Sequence, residues 1–257
     1  MSFDVEKVTT DIIEFIQDYY KKNNLKGAVI GISGGKDSAV VAALFTRALG
    51  CENVLGLWMP CNSKENDYKD AQLLCNELKI ELKEFDLTTT YNLYLENIQK
   101  ENKVFDHELI NANINLKPRL RMSTLYYYAA MMTKQKNETY IVAGTSNKCE
   151  RFVGYFTKGG DNVCDISVLG DLLVSEVIML GDYLKIPTHI VHKIPDDGLS
   201  NQTDEEKLGV KYEDIEKYIC EEETGIKTGL QDEVRRKIKR LHEVNSHKFT
   251  IPMFRRK

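Results

Sequence analysis

The sequence Gly27-Ala-Val-Ile-Gly-Ile-Ser-Gly-Gly-Lys-Asp-Ser-Ala39 decides the fold of this chain. Residues 28–32 form a short apolar run rich in β-branched side chains, which predicts a buried strand. The glycine pair that follows predicts a turn, since glycine adopts positive φ and lets backbone N–H groups approach a ligand closely. The apolar-periodic run after the turn predicts a helix that Gly50 closes. A strand, a glycine turn and a helix N-terminus together favour the binding of an anion such as phosphate.

Two known glycine loops fit this stretch incompletely. A Walker A loop requires a glycine and a hydroxyl residue where this chain has Ile30 and Asp37, so that interpretation fails. A nucleophile elbow matches at Gly31, Ser33 and Gly35 and would make the chain a serine hydrolase. However, no His-Gly oxyanion segment lies upstream, and a charged Lys-Asp pair directly after an elbow has no role in acyl transfer. The serine hydrolase is kept as a less favoured alternative.

The third interpretation takes Ser33–Ser38, Ser-Gly-Gly-Lys-Asp-Ser, as the loop of the N-type ATP pyrophosphatases, which it resembles in full. Enzymes with this loop cleave ATP to AMP and pyrophosphate. Asp37 would be repelled by phosphate unless a cation lay between them, so it is a candidate Mg²⁺ ligand, although helix capping alone would also explain it. Glu150 closely follows the strand predicted at 139–143 and is a candidate second ligand, although such a residue is more often at the surface.

Length and composition predict one α/β domain over residues 1–257. The chain has 257 residues, of which 42% are hydrophobic, enough for a sizeable core. A net charge of −4 provides no basic field for nucleic acid. There is neither a long apolar run that would cross a membrane nor a signal-peptide core at the N-terminus, which predicts a cytoplasmic protein without membrane contact. Six scattered cysteines predict reduced thiols.

Apolar periodicity along the rest of the chain predicts alternating strands and helices. Helices are expected from residue 5 to near 23–24 and at 66–78, 123–132 and 172–184, and strands at 54–59, 80–87 and 139–143. The span 147–171 has little periodicity and predicts a long functional loop, whereas the charged tail at 212–247 predicts helix. This order predicts an α/β, doubly wound, mostly parallel sheet flanked by helices, with ligands at the carboxyl ends of its strands.

Several further segments resemble the ammonia-dependent NAD synthetases, and they follow one another in that family's order. They are Lys117–Met122, Gly144–Glu150, Gly154–Asp161, Asp204–Gly209 and the pair His247-Lys248. The resemblance implies an adenine nucleotide alpha hydrolase-like, Rossmann-like fold. It also implies that ATP adenylylates the nicotinate carboxylate of deamido-NAD, and that ammonia then displaces AMP to give NAD. It further implies a homodimer whose deamido-NAD site is completed across the interface.

The family resemblance also assigns roles by position. Asp37 and Glu150 would hold Mg²⁺, and Asp37 and Lys158 would be the catalytic residues. ATP would contact Gly31, Ile32, Ser33, Gly34, Gly35, Lys36, Asp37, Ser38, Thr145, Val174 and Asp196. Deamido-NAD would contact Tyr19, Asn115, Arg119, Tyr126, Lys158, Asp165, His247 and Lys248. Tyr19 and Tyr126 fit core aromatic positions equally well, and His247-Lys248 fits a solvated surface.

Several positions depart from the family pattern: Ser146 replaces a common aspartate, Asn162-Val163 replaces a Gly-Gly pair, and two further departures concern ATP. Val174 stands where the family usually has an ATP-binding lysine, and Asp196 stands where it has threonine or serine. Losing a cation and gaining a carboxylate should weaken triphosphate binding, unless Lys36, Lys148 or a second Mg²⁺ compensates. No amidohydrolase segment is recognisable, so free ammonia or a separate donor is expected. Another N-type ATP pyrophosphatase, such as a GMP-synthetase-like or tRNA-modifying enzyme, and a non-catalytic nucleotide-binding module stay open as alternatives.

Overall fold

A computed structural model of the chain describes residues 3–63, 65–102, 110–194 and 203–256. Its centre is a five-stranded parallel sheet in the order β3-β2-β1-β4-β5. The strands are β1 Gly27–Gly31, β2 Val54–Trp58, β3 Glu81–Glu84, β4 Tyr140–Gly144 and β5 Ile166–Ser167. Because the chain moves outward from β1 in one direction and then returns to its other side, the order reverses between β1 and β4. Ligands bind open α/β sheets at such a reversal.

Helices flank this sheet on both faces, as the alternation of the sequence predicts. They are α1 Val5–Lys22, α2 Lys36–Leu49, α3 Glu65–Leu78, α4 Thr88–Asn102, α5 Ile110–Lys136, α6 Lys148–Val153, α7 Val174–Tyr183, α8 Thr188–Val191, α9 Asp204–Leu208, α10 Tyr212–Thr224 and α11 Asp232–Asn245. The fold class predicted from the sequence is therefore confirmed.

Strand β1 shows why both faces are covered. Ala28 and Ile30 face a core that α1, α2, α3, α7 and α8 complete, whereas Val29, between them, faces a second core that α4 and α5 complete. Successive side chains of a strand point to opposite faces, so a fully apolar strand requires helices on both sides. A third core joins α6, α10 and α11 beside the sheet around Cys149, Ile215 and Ile238.

One sequence prediction about local structure is corrected, and another is confirmed in more detail. The long loop predicted at 147–171 contains α6 and β5. Helix α6 begins with a capping box, in which the side chains of Asn147 and Glu150 accept from each other's backbone N–H groups. These local hydrogen bonds stabilise a helix that has no apolar periodicity in its sequence. The tail predicted as helical over 212–247 consists of two helices, α10 and α11, because Gly225 ends α10 in the left-handed conformation.

Candidate active site

A cavity of about 770 Å³ opens at the carboxyl ends of β1 and β4, where the strand order reverses. Its walls are the loop 31–38, the segment 142–146 at the end of β4, one side of α5 and the segment 154–163. Every predicted ATP-binding residue from Gly31 to Ser38 lies in this wall, together with Thr145 and Glu150. The sequence predicts ligands at this edge of the sheet, and the structure has its large cavity there.

The loop is shaped to present backbone donors to the cavity. Gly34 adopts φ +79°, which L side chains rarely adopt, and a Cβ there would lie 2.5 Å from the Asp67 carbonyl oxygen. Ser38 Oγ donates to the Gly35 carbonyl at 3.0 Å and accepts from the Ser33 N–H at 3.2 Å, which closes the turn. Gly35 is the N-cap of α2 and has no side chain to accept from the first N–H groups of the helix, so these donors are left for a ligand.

A buried ion pair lies directly behind the loop. Lys36 is 5% exposed, and its Nζ lies 2.9 Å from Asp37 Oδ2. The other oxygen of Asp37 accepts from the Asn147 amide at 3.0 Å, which joins the loop to the N-terminus of α6. Burial lowers the pKa of Lys36, but Asp37 and Glu150 outweigh it and hold that pKa above its usual value. The lysine therefore stays charged and fixes the direction of the Asp37 carboxylate.

Glu150 brings a second carboxylate to the same part of the cavity. Its Oε2 accepts from the Asn147 N–H at 3.1 Å, and the Asn147 side chain returns a bond to the Glu150 N–H. Burial, followed by repulsion from Asp37, raises the pKa of Glu150 well above its usual value. A cation between the two carboxylates would relieve this repulsion, so the oxygen donors present fit a hard divalent ion.

Two carboxylates are what Mg²⁺ usually takes from a protein when phosphate oxygens and water complete its shell. Within the described ranges, no group of three or more His, Cys, Asp or Glu side chains could hold a metal ion. The donors therefore fit an ion that arrives with a phosphate substrate better than one enclosed by protein ligands alone.

Sequence reasoning missed the role of Asp204, which the sequence shows only as part of a family motif. Asp204 is 5% exposed and accepts hydrogen bonds from Tyr155 at 3.1 Å and Tyr212 at 3.2 Å. The Lys36 ammonium lies 6.0 Å from the Tyr212 ring centroid, so these residues continue the polar network below the loop. Burial, followed by the nearby carboxylates, raises the pKa of Tyr212, which stays a neutral donor.

One group of predicted dinucleotide contacts lies around the segment 154–163. Arg119 donates from Nε and Nη2 to the Lys158 carbonyl at 3.3 and 3.2 Å, and Lys158 Nζ donates to the His247 carbonyl at 2.9 Å. Lys248 and Asn115 line the cavity itself, whereas Arg119, Lys158 and His247 are not among its lining residues. Asn115 accepts from the Thr157 hydroxyl at 2.7 Å. The structure therefore joins α5, this segment and the C-terminal residues on one side of the cavity.

The remaining predicted dinucleotide contacts, Tyr19, Tyr126 and Asp165, also lie outside the cavity lining. Tyr126 donates to Asp165 Oδ1 at 3.1 Å, and the other oxygen of Asp165 accepts from the Val142 N–H at 2.8 Å. Tyr19 packs against the first core, whereas Tyr126 packs against the second. The Tyr19 ring stacks on Phe15 with ring centroids 6.3 Å apart.

Comparison with known proteins identifies the family. The sequence model of the NAD synthase family matches residues 8–252, which is nearly the whole chain. The chain belongs to the NAD synthase family. Among curated members, an NH3-dependent NAD synthetase from Carboxydothermus hydrogenoformans is 38% identical over 248 residues, covering 96% of each chain.

Solved structures of NAD synthase relatives have the same fold. An NMN synthetase from Francisella tularensis is 32% identical, with a TM-score of 0.86 and 99% of each chain covered. An NH3-dependent NAD synthetase from Campylobacter jejuni is 29% identical, with a TM-score of 0.81, covering 99% of this chain and 100% of that one.

Val174, a position predicted from the NAD synthase pattern, is not among the residues that line the cavity. Its side chain is buried in the third core together with Cys149 and Leu208. An ATP contact at Val174 stays a prediction. The other departure, Asp196, lies outside the described residues.

The serine hydrolase alternative has no support at Ser33. The Ser33 hydroxyl contacts the Ser38 hydroxyl at 3.1 Å and the Gly35 N–H at 3.3 Å. The histidines in the described ranges bond other groups, at Asp70, Asp182, Phe152 and Val244. In the same ranges, no helix is both long and apolar enough to cross a lipid bilayer.

Proposed function

We propose that this NAD synthase family member amidates deamido-NAD with ammonia and ATP, giving NAD, AMP and pyrophosphate. The observation that carries the proposal is the cavity in which a glycine loop at a helix N-terminus faces the paired carboxylates Asp37 and Glu150. Backbone N–H groups suit the phosphates, and the carboxylates suit the cation that accompanies them. The residues Gly31–Ser38 and Thr145 are proposed to bind ATP.

The reaction has two displacement steps. An oxygen of the nicotinate carboxylate attacks the α-phosphorus of ATP, the bond to the β-phosphate oxygen breaks, and pyrophosphate leaves. The nitrogen of ammonia then attacks the acyl carbon, AMP leaves with the bonding electrons, and a proton is lost to solvent. Neither step needs a covalent enzyme nucleophile, so positioning and charge neutralisation provide the catalysis.

Asp37 and Glu150 would hold Mg²⁺, which when bound neutralises phosphate charge during the departure of pyrophosphate. The chain's own residues prepare this place. Lys36 and Asn147 fix the two oxygens of Asp37, and the capping box fixes Glu150. On this proposal Asp37 is catalytic because it keeps the cation beside the leaving group.

Deamido-NAD is proposed to lie across the opposite side of the cavity. Arg119, Lys158, His247 and Lys248 form one contact group, in which Lys158 is the proposed catalytic cation for phosphate or carboxylate oxygens. Asn115 contributes from the cavity wall. The second group, Tyr19, Tyr126 and Asp165, is proposed to contact the part of the dinucleotide that extends out of the cavity.

The likeness to an NMN synthetase supports a second candidate, amidation of nicotinate mononucleotide. Both substrates carry the same nicotinate carboxylate, so the chemistry with ATP is shared. The two substrates differ in one part, because deamido-NAD carries an adenylyl group that the mononucleotide lacks. Kinetics with the two substrates side by side separate the candidates, since the true substrate has the larger kcat/KM.

Ammonia as the nitrogen donor is supported by the names of the curated relatives, which are NH3-dependent enzymes. A cytoplasmic location, one domain over residues 1–257 and a homodimer that shares the deamido-NAD site complete the proposal. The exposed apolar side chains of Leu93 and Tyr94 on α4 and of Tyr127 on α5 support the homodimer, because an interface would remove them from water.

A product assay with deamido-NAD, Mg-ATP and ammonium tests the function. The wild-type protein should form NAD and AMP in equal amounts, and Asp37→Ala should lower the rate by about a hundredfold or more, because it removes charge neutralisation at the phosphates. Asp11→Ala is the control, since Asp11 pairs with Lys7 on the exposed side of α1 and lies outside the cavity wall. ATP binding without pyrophosphate release would favour the non-catalytic module instead, and full activity of Asp37→Ala would refute its role.

A further inference from the structure

Lys193 lies in the cavity wall where the loop 31–38 passes α3. Its Nζ donates to Asp67 Oδ1 at 2.7 Å and to Asp70 Oδ2 at 2.6 Å, both on α3. The same ammonium lies 3.3 Å from the carbonyl oxygen of Gly34 in the loop. A lysine ammonium has three donors, and these three acceptors use all of them. Lys193 therefore joins the loop to α3 through a single group.

The loop is already in close contact with α3 at this point. A Cβ at Gly34 would lie 2.5 Å from the Asp67 carbonyl oxygen, so the two backbones touch without an intervening side chain. The Gly34 carbonyl accepts from Lys193 on one side of the peptide, and the N–H groups that begin α2 follow directly on the other. A shift of the Gly34 peptide would therefore redirect the donors that face the phosphate site.

Lys193 also changes the charge of the cavity wall. Asp67 lines the cavity, and the side chains of Asp67 and Asp70 are only 15% and 17% exposed. His189 lies 3.3 Å from Asp70, but in the described part of the chain no cation besides Lys193 pairs with Asp67. Without the lysine, carboxylates next to the phosphate site would repel a triphosphate, and weak solvent screening would strengthen that repulsion.

We propose that Lys193 is a positioning residue for ATP, which holds the Gly34 turn against α3 and offsets part of the negative charge of Asp67 and Asp70 beside the triphosphate. This inference rests on the proposed function, because it concerns the ATP half of that reaction. Lys193 acts through the loop and the two aspartates, so its loss should weaken ATP binding and leave deamido-NAD binding unchanged.

Lys193→Met tests this inference, because it keeps the length of the side chain and removes the charge. The KM for ATP and the Kd of Mg-ATP measured by calorimetry should both rise about tenfold, which corresponds to about 1.4 kcal/mol of lost binding. The KM for deamido-NAD should stay within about twofold, since the three hydrogen bonds of Lys193 go to the ATP loop and α3 and not to the residues proposed for deamido-NAD. Lys193→Arg keeps a cation near both aspartates and should restore most of the ATP affinity.

Two further variants separate positioning from general damage. The first is the triple variant Lys193→Met/Asp67→Asn/Asp70→Asn. It no longer has the unpaired negative charges, but it still lacks the hydrogen bond to the Gly34 carbonyl. Its KM for ATP should therefore lie between those of the wild type and Lys193→Met. Lys7→Met is the matched control, because it removes a Lys–Asp pair of 2.5 Å on α1 and should change neither KM. If Lys193→Met does not fold, the triple variant, which leaves no unpaired buried carboxylate at this place, is measured instead.

The inference is overturned if the wild-type enzyme is active and the folded Lys193→Met variant binds ATP as tightly as the wild type does. An equal rise in both KM values, or a fall in kcat alone, would also overturn it, because a merely structural residue gives those patterns. Failure of the proposed function is distinguishable, since the wild-type protein itself would then form no NAD.

Discussion

At the scale of single residues, Gly34 is the position at which the loop tolerates least change. Gly34→Ala places a side chain at φ +79° and 2.5 Å from the Asp67 carbonyl oxygen. We expect it to lose about 1 to 2 kcal/mol of folding free energy from the left-handed backbone, and more from the contact with α3. We also expect a higher KM for ATP, since the loop must move. Chemical denaturation and steady-state kinetics measure the two effects.

Gly225→Ala is the control for this variant. Gly225 has φ +72°, and a Cβ added there would have no neighbouring atom within 4 Å, so the variant isolates the cost of the backbone conformation. It should lose stability without any change in the KM for ATP. Equal losses of stability in the two variants, with unchanged kinetics in both, would show that contact between the loop and α3 is unimportant.

The residues of the phosphate loop could be predicted from the sequence because each is fixed by its immediate neighbours. Glycine at 34 and the serine pair at 33 and 38 act within one turn, so their spacing carries the information. Lys193 and Asp204 could not be predicted in this way. Their partners, on α3 and at Tyr155, come near only when the chain has folded, and no local spacing records such contacts.

At the scale of elements, the buried carboxylate of Glu221 links α10 to α11. Arg235 donates to it from Nε at 2.9 Å and from Nη2 at 3.1 Å, and the Thr228 N–H donates at 2.8 Å. The Arg235 bond first, and then the Thr228 backbone bond, lower the pKa of Glu221 to about 2. A lowered pKa means that the folded protein stabilises the ionised Glu221 carboxylate relative to the unfolded chain.

Glu221→Gln should therefore lower the Tm at neutral pH by a few degrees. The stability from Glu221 is fully present above the unfolded pKa of about 4.3 and is lost as the pH falls through the folded value. The difference in Tm between variant and wild type should thus shrink from pH 5 towards pH 2. Melting curves over that range check this, with Glu213→Gln, at an exposed pair on α10, as the control. A difference that does not depend on pH would contradict the ionic link.

Helices could be predicted from the sequence where apolar residues recur at helical spacing. They are missed where local hydrogen bonds, and not a buried apolar face, hold the helix together. Helix α2 has nine buried residues, and the prediction lies within one or two residues of its ends. Helix α6 has only six residues and is held by the Asn147–Glu150 capping box, so the sequence around it indicated a loop. Helix α5 continues through Pro118, although proline cannot donate the usual backbone bond, because Leu116 and Leu120 pack on the second core on either side of it.

At the scale of the whole molecule, the doubly wound sheet could be predicted because apolar strands need cover on both faces. The two cores on opposite faces of β1 are the direct result of that requirement. What surrounds the molecule could not be predicted by the same argument. The apolar side chains on the outside of α4 and α5 are not spaced in the sequence in a way that would distinguish a subunit interface from an exposed surface.

The homodimer provides the prediction at this scale. Leu93 and Tyr94 on α4 are 55% and 51% exposed, and Tyr127 on the neighbouring α5 is 70% exposed. A charge at the centre of an apolar interface is costly to bury, so Leu93→Glu should shift the protein from dimer to monomer in sedimentation velocity. If the deamido-NAD site is shared between subunits, NAD formation should fall together with the dimer fraction and recover at high protein concentration.

Ile226→Glu is the control, at a residue outside both helices that is 68% exposed, and it should sediment as the wild type does. A wild-type enzyme that is monomeric at all concentrations and fully active would contradict a shared site.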